Sequence, residues 1–134
     1  MTFLDTGYFI ALLNPRDELH ARAVLWSEKL SDSFVVTEHV LWETINFFSQ
    51  PADRPKALAL MDHLDAETAV EIVPATPALF RAGLNLHRER VDKHWSLTDC
   101  ISFVLMRERG ILQALAFDQH FEQAGFVALL RREP

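Results

Sequence analysis

Four acidic residues stand where a carboxylate could do chemistry rather than solvate a surface. Asp5 closes the first apolar run and Asp118 closes a later one, while Asp99 opens a helical pattern and Glu43 lies among Leu41, Trp42 and Ile45 in another. Gathered carboxylates repel one another and raise one another's pKa, so a fold tolerates them best when a divalent cation neutralises the group. Mg2+ and Mn2+ take oxygen ligands, and an ion held this way can activate water and offset charge on a phosphoryl oxygen. The sequence has no Gly-rich phosphate loop, so hydrolysis of a phosphodiester suits the pattern better than nucleotide binding.

Each acid taken singly also has an ordinary structural explanation. Asp5 and Asp118 can cap the segments that follow them. Ser96-Leu97-Thr98-Asp99 matches a capping box, with Ser96 at the N-cap and Asp99 three residues on. Glu43 cannot be a cap, because it falls inside its helix rather than at the start, and its ordinary reading is a solvated helix residue, the hardest of the four to accept beside Leu41, Trp42 and Ile45. The four together are harder to account for as caps than any one of them.

The elements that must position these acids alternate. Strand-like runs are expected at Thr2–Asp5, Phe34–Val36, Ala69–Val73, Ala114–Phe117 and Phe126–Leu129. Helical spacing is expected over Tyr8–Leu13, Asp17–Leu30, Glu38–Ser49, Pro55–Leu64, Pro77–Arg90 and Ser96–Arg109, with a short turn at Gln119–Ala124. Pro77 suits a first helical turn, and Gly110 sits where a C-terminal glycine belongs. Alternation of this kind predicts an α/β domain, three layers deep, around a mainly parallel sheet. Ligands of such sheets bind outside the carboxyl ends of the strands, which is where Asp5 and Asp118 fall.

Composition bounds the function. The 134 residues suit one domain, 1–134, and 49% apolar with 24% charged residues is ordinary globular usage. A single cysteine, Cys100, excludes an internal disulfide and a multi-cysteine zinc site. No stretch has the apolar length of a membrane helix and no signal-peptide pattern opens the chain, so a cytoplasmic location is expected. The net charge of -6 argues against a protein that coats duplex DNA, but not against a nucleic-acid enzyme whose acids bind metal.

At this point the sequence resembles the PIN domain, in particular the small VapC-like ribonucleases of toxin–antitoxin pairs. The matching stretches are Leu4-Asp5-Thr6-Gly7 through Leu13, Asp17 to Ala21, Val40-Leu41-Trp42-Glu43-Thr44, Ser96 to Ser102, and Phe117-Asp118-Gln119-His120-Phe121 with Ala124-Gly125-Phe126. The resemblance implies a five-stranded parallel sheet with helices on both faces, and Mg2+- or Mn2+-dependent cleavage of unpaired RNA. It implies Asp5, Glu43, Asp99 and Asp118 as the acidic quartet. Asp5 and Asp99 would be the main metal ligands, Asp118 would act through water or a second ion, and Glu43 would orient or deprotonate the attacking water. Thr6, Ser96 and Thr98 would be supporting hydroxyls. A homodimer and a small antitoxin partner are further implications. One departure stands out: Ala116 occupies a position where the family usually carries Thr or Ser, two residues before the fourth acid.

The locally basic stretch from His87 to Trp95 reads either as a solvated loop or as an RNA-contact loop, with Arg88, Arg90 and Lys93 for phosphates and Trp95 either stacking on an unpaired base or belonging to the core. The six histidines are scattered without metal-ligand spacing, and His120 is read as orienting the turn after Asp118. Two other readings compete with the nuclease. A PIN-like module could hold RNA or protein without cutting, as Ala116 and the negative charge allow. Phosphotransfer on an aspartate is disfavoured, because Gly7 stands where a second Asp would be needed and no Lys is suitably placed.

Overall fold

The computed structural model describes residues 1–134. Strands β1 (Thr2–Leu4), β2 (Phe34–Thr37), β3 (Val70–Val73), β4 (Gln113–Leu115) and β5 (Val127–Ala128) form one sheet in the order β3-β2-β1-β4-β5. Every pairing is parallel, with Phe3 opposite Val35 on one side and Ala114 on the other. The central strands are buried on both faces, which explains why Phe3-Leu4, Val35-Val36 and Ala114-Leu115 read as continuous apolar runs.

The crossovers are α1 (Thr6–Leu13) and α2 (His20–Lys29), then α3 (Glu38–Phe47) and α4 (Arg54–Ala66), then α5 (Pro77–Glu89) and α6 (Leu97–Arg109), and finally α7 (Gln119–Gln123). The chain winds outward from β1 to β3, then returns to β4 beside β1. The crossover helices leave the central strands buried, and the winding direction reverses between β1 and β4. That reversal opens a crevice at the carboxyl edge of the two strands that precede Asp5 and Asp118.

Helices α5 and α6 pack closely. A Cβ built on Gly83 would fall 2.3 Å from Ile101 Cγ1, so glycine is required at this crossing. Gly110 ends α6 with φ of 64°, the left-handed conformation that glycine adopts freely.

Most expected elements are present, with shifted ends. Helix α2 begins at His20 rather than Asp17, because Asp17 Oδ1 accepts the Leu19 amide at 2.8 Å and holds a turn. Strand β4 stops at Leu115. The Ala116 carbonyl instead accepts the Leu130 amide at 3.1 Å, and the final run Phe126–Leu129 shortens to β5 followed by a 3-10 turn, Leu129–Arg131.

Candidate active site

The four acids arrive at one cleft by four routes. Asp5 follows β1 directly, and its amide donates to the Leu115 carbonyl at 3.2 Å, which ties it to the end of β4. Asp118 follows β4 and opens α7, where its Oδ1 accepts the His120 amide at 3.0 Å. Asp99 lies in the first turn of α6 and Glu43 on α3. Asp5, Glu43, Asp99 and Asp118 together line a cleft of about 710 Å3, along with Thr6, Ser96, Asp17, His94, His120 and Arg131.

The capping explanations turn out to be partly correct and insufficient. Asp5 makes no side-chain cap bond to α1. Asp99 does complete the capping box: its amide donates to Ser96 Oγ at 3.0 Å, and its Oδ2 accepts the Ser96 amide at 3.1 Å. The same Oδ2 lies 2.9 Å from His120 Nδ1, which is also 3.3 Å from Asp118 Oδ1. Ligand atoms of Asp99, Asp118 and His120 all fall within 4.8 Å of one another. His120 therefore belongs to the cleft as a bridge between two acids, in addition to its place in the turn after Asp118.

Asp5 carries the strongest electrostatic signature. It is 8% exposed, and its carboxyl is pushed up to about 8. Burial is the largest cause, followed by the negative charges of Asp99 and Glu43, with the amides of Thr6 and Gly7 opposing. Asp99 is also raised, first by burial, with Asp118 adding and His120 and Ser96 opposing. Beside Asp5, the Thr6 hydroxyl is buried with no hydrogen-bond partner. A buried hydroxyl left unpaired is unfavourable, and here it sits next to an acid whose charge is uncompensated.

These features fit a hard divalent cation. The donors are carboxylate oxygens from separate segments, a donor set that suits Mg2+ or Mn2+, and an ion at Asp5 would relieve the repulsion that raises its pKa.

The other expected residues divide. Thr6 and Ser96 line the cleft, whereas Thr98 lines an adjoining groove between α3 and α5. Glu43 lines both. Ala116 is fully buried in the core cluster. Trp95 does not offer a stacking face: it is 3% exposed, packs edge-on against Phe103 at 5.1 Å, and donates from Nε1 to Gln123. Its apolar ring is worth more in the core than in solvent. Arg90 lies over the Trp95 ring and grips both oxygens of Asp92, and Lys93 also approaches Asp92. Arg88 is exposed on α5. None of Arg88, Arg90 and Lys93 lines the acidic cleft, and the cation that does, Arg131, carried no signal in the sequence.

Known proteins place this arrangement. A PIN domain family model matches residues 2–127. The 23S rRNA-specific endonuclease VapC20 of Mycobacterium tuberculosis is 32% identical over 128 residues, covering 95% of this chain and 96% of the relative. The crystal structure of VapC20, described as a Sarcin-Ricin loop cleaving toxin, superposes with a TM-score of 0.88 at 28% identity, over 96% of this chain and 98% of that one. FitAcB from Neisseria gonorrhoeae shares the fold, with a TM-score of 0.65 at 18% identity over 95% of each chain. The parallel five-stranded sheet, the acids at its carboxyl edge and the full-length match to VapC20 agree, and the chain belongs to the PIN domain family.

Proposed function

We propose that this chain is a Mg2+- or Mn2+-dependent endoribonuclease, acting as one domain over residues 1–134. The observation that carries the reading is Asp5: a buried carboxyl raised to about 8, with two further acids acting on it and an orphaned hydroxyl beside it. A group held in this state is a device for binding a cation rather than a stabilising feature of the fold.

Asp5 and Asp99 would hold the ion, with Asp118 acting through water or a second ion. The bound cation supplies charge neutralisation at the phosphoryl group and acidifies the water that attacks it. Glu43, exposed at the rim of the same cleft, would be the carboxylate placed to accept a proton from the attacking water. Ser96 and Asp99 lock each other through the capping box, so the Asp99 carboxylate enters the cleft in a fixed orientation. Thr6 lines the cleft with a hydroxyl that has no protein partner, and it would be available to water held by the ion.

Similarity to VapC20 makes a structured ribosomal RNA loop the first substrate class to test. A toxin role with a small antitoxin partner in the cytoplasm follows from the same kinship. A homodimer is supported by the groove between α3 and α5, where Trp42 is 66% exposed and Phe80 is also exposed, because solvated aromatic patches of this kind mark interfaces.

Purified protein should cleave RNA with Mn2+ and lose that activity on chelation. Asp5→Asn and Asp99→Asn should each lower the rate by on the order of a thousandfold at unchanged circular dichroism. Full activity in both variants contradicts the assignment, and RNA binding without Mn2+-dependent cleavage would favour the non-cutting module.

A further inference from the structure

An acidic cleft that accepts a polyanion needs fixed positive charge as well as a metal. In a protein of net charge -6, the arginines and lysine of the basic stretch 87–95 do not supply it, because Arg90 and Lys93 are turned to Asp92 and none of Arg88, Arg90 and Lys93 lines the cleft, which this stretch reaches only through His94. The arginine that lines the cleft lies elsewhere. We infer that Arg131 is a phosphate-binding residue, gripping a backbone phosphate of the RNA strand beside the acidic quartet. This rests on the nuclease reading above and adds the residue that would seat the substrate.

The register of the sheet puts Arg131 there. The Leu130 amide donates to the Ala116 carbonyl, so the turn after β5 runs alongside the end of β4 and sets residue 131 beside residue 117. The guanidinium is then fixed from three sides. Its centre lies 4.9 Å over the Phe117 ring, Nη1 donates to the Phe117 carbonyl at 2.9 Å, and Nε pairs with Glu122. None of the four acids of the quartet forms an ion pair with it; its carboxylate partner, Glu122, belongs to α7.

Two of the five guanidinium N–H donors are used in this way, and Nη2 carries no hydrogen bond. The side chain is 38% exposed and lines the cleft. A planar fork held rigid, with donors left over and solvent access, is the geometry that grips a phosphate with little further loss of side-chain freedom. A lysine there would keep the charge and lose the fork.

The alternative is a brace that merely fastens the final turn to Phe117 and Glu122. Both roles predict some loss of thermal stability on substitution, so stability does not separate them, but salt dependence does. RNA binding should be measured for full-length Asp5→Asn, which cannot cut, with and without Arg131→Ala and Arg131→Lys, using a single-stranded oligoribonucleotide over a series of salt concentrations. Removing one phosphate contact should weaken binding about tenfold and lower the slope of log K against log salt by about 0.7. Arg131→Lys should retain most of the slope and lose part of the affinity. Unchanged affinity and slope in Arg131→Ala, alongside Mn2+-dependent cleavage by the otherwise wild-type chain, would overturn the inference and leave the nuclease reading standing. If the wild-type chain neither binds nor cuts RNA, both fall together.

Discussion

The first sheet strand carries an aspartate at each end of its neighbourhood, and the two are treated oppositely. At the amino edge, Asp32 Oδ2 accepts the Thr2 hydroxyl at 2.7 Å and Oδ1 accepts the Ser33 amide at 2.8 Å, with the Met1 amino group 3.1 Å away. Thr2 in turn accepts from Gln113 of β4. These hydrogen bonds, the Thr2 contact first, hold the Asp32 carboxyl below the usual range. At the carboxyl edge, Asp5 is more deeply buried, faces other acids and is pushed up to about 8. One edge of the sheet satisfies its charge with protein groups. The other gathers acids around a buried carboxyl that only the Thr6 and Gly7 amides oppose. Marginally stable folds concentrate this kind of unfavourable arrangement at functional sites.

The largest separation between the two edges should be in catalysis. Asp5→Asn should remove RNA cleavage, while Asp32→Asn should leave it within about twofold of wild type, since Asp32 touches nothing in the cleft. A comparable loss in both variants, measured with Mn2+ at matched folded fraction, would erase the distinction.

Stability should move the other way. In metal-free protein at pH 8, Asp5→Asn should gain about 2 kcal/mol, because it removes a buried charge that the fold does not compensate. Asp32→Ala should lose about 1 kcal/mol, the net worth of a few partly screened hydrogen bonds. Chemical denaturation of the three proteins checks both, and a loss in Asp5→Asn would mean that its charge is compensated in the fold.

The pH profiles should be of opposite sign. Asp5 has a folded value above its unfolded one, so its penalty is absent below about pH 4 and grows as pH rises toward 8. Asp32 has a folded value below its unfolded one, so its contribution is present above about pH 4 and fades as pH falls through the folded value. The difference in stability between wild type and Asp5→Asn should therefore widen from pH 5 to pH 8 without metal and shrink when Mg2+ is added. A flat difference curve would remove Asp5 as its source.

The sequence made one edge of this comparison much more legible than the other. Strand ends are readable because doubly buried strands are unbroken apolar runs, so Asp5 and Asp118 announce themselves as the first polar residues beyond β1 and β4. Asp99 is readable through the capping box, which is local. What required the fold was register. The contact of His120 with Asp99 depends on α7 lying against the start of α6, and the place of Arg131 depends on the Leu130–Ala116 hydrogen bond. Neither can be inferred from spacing along the chain. Trp95 is ambiguous in the sequence for the related reason that an aromatic next to cations fits a binding residue and a core residue equally, and its burial against Phe103 selects the core. The amino-edge network around Asp32 joins residues 2, 32 and 113, and gave no local pattern at all.

The most direct test is a calorimetric titration of Mn2+ into metal-free protein at pH 7, in two buffers of different ionisation enthalpy. A carboxyl raised to about 8 is largely protonated at that pH, so ion binding should displace about one proton per ion. The wild-type chain should show saturable binding with that proton release, and Asp5→Asn should lose it. A wild-type titration without saturable heat, or the same affinity and proton count in Asp5→Asn, would contradict the assignment of the carboxyl edge as a metal site.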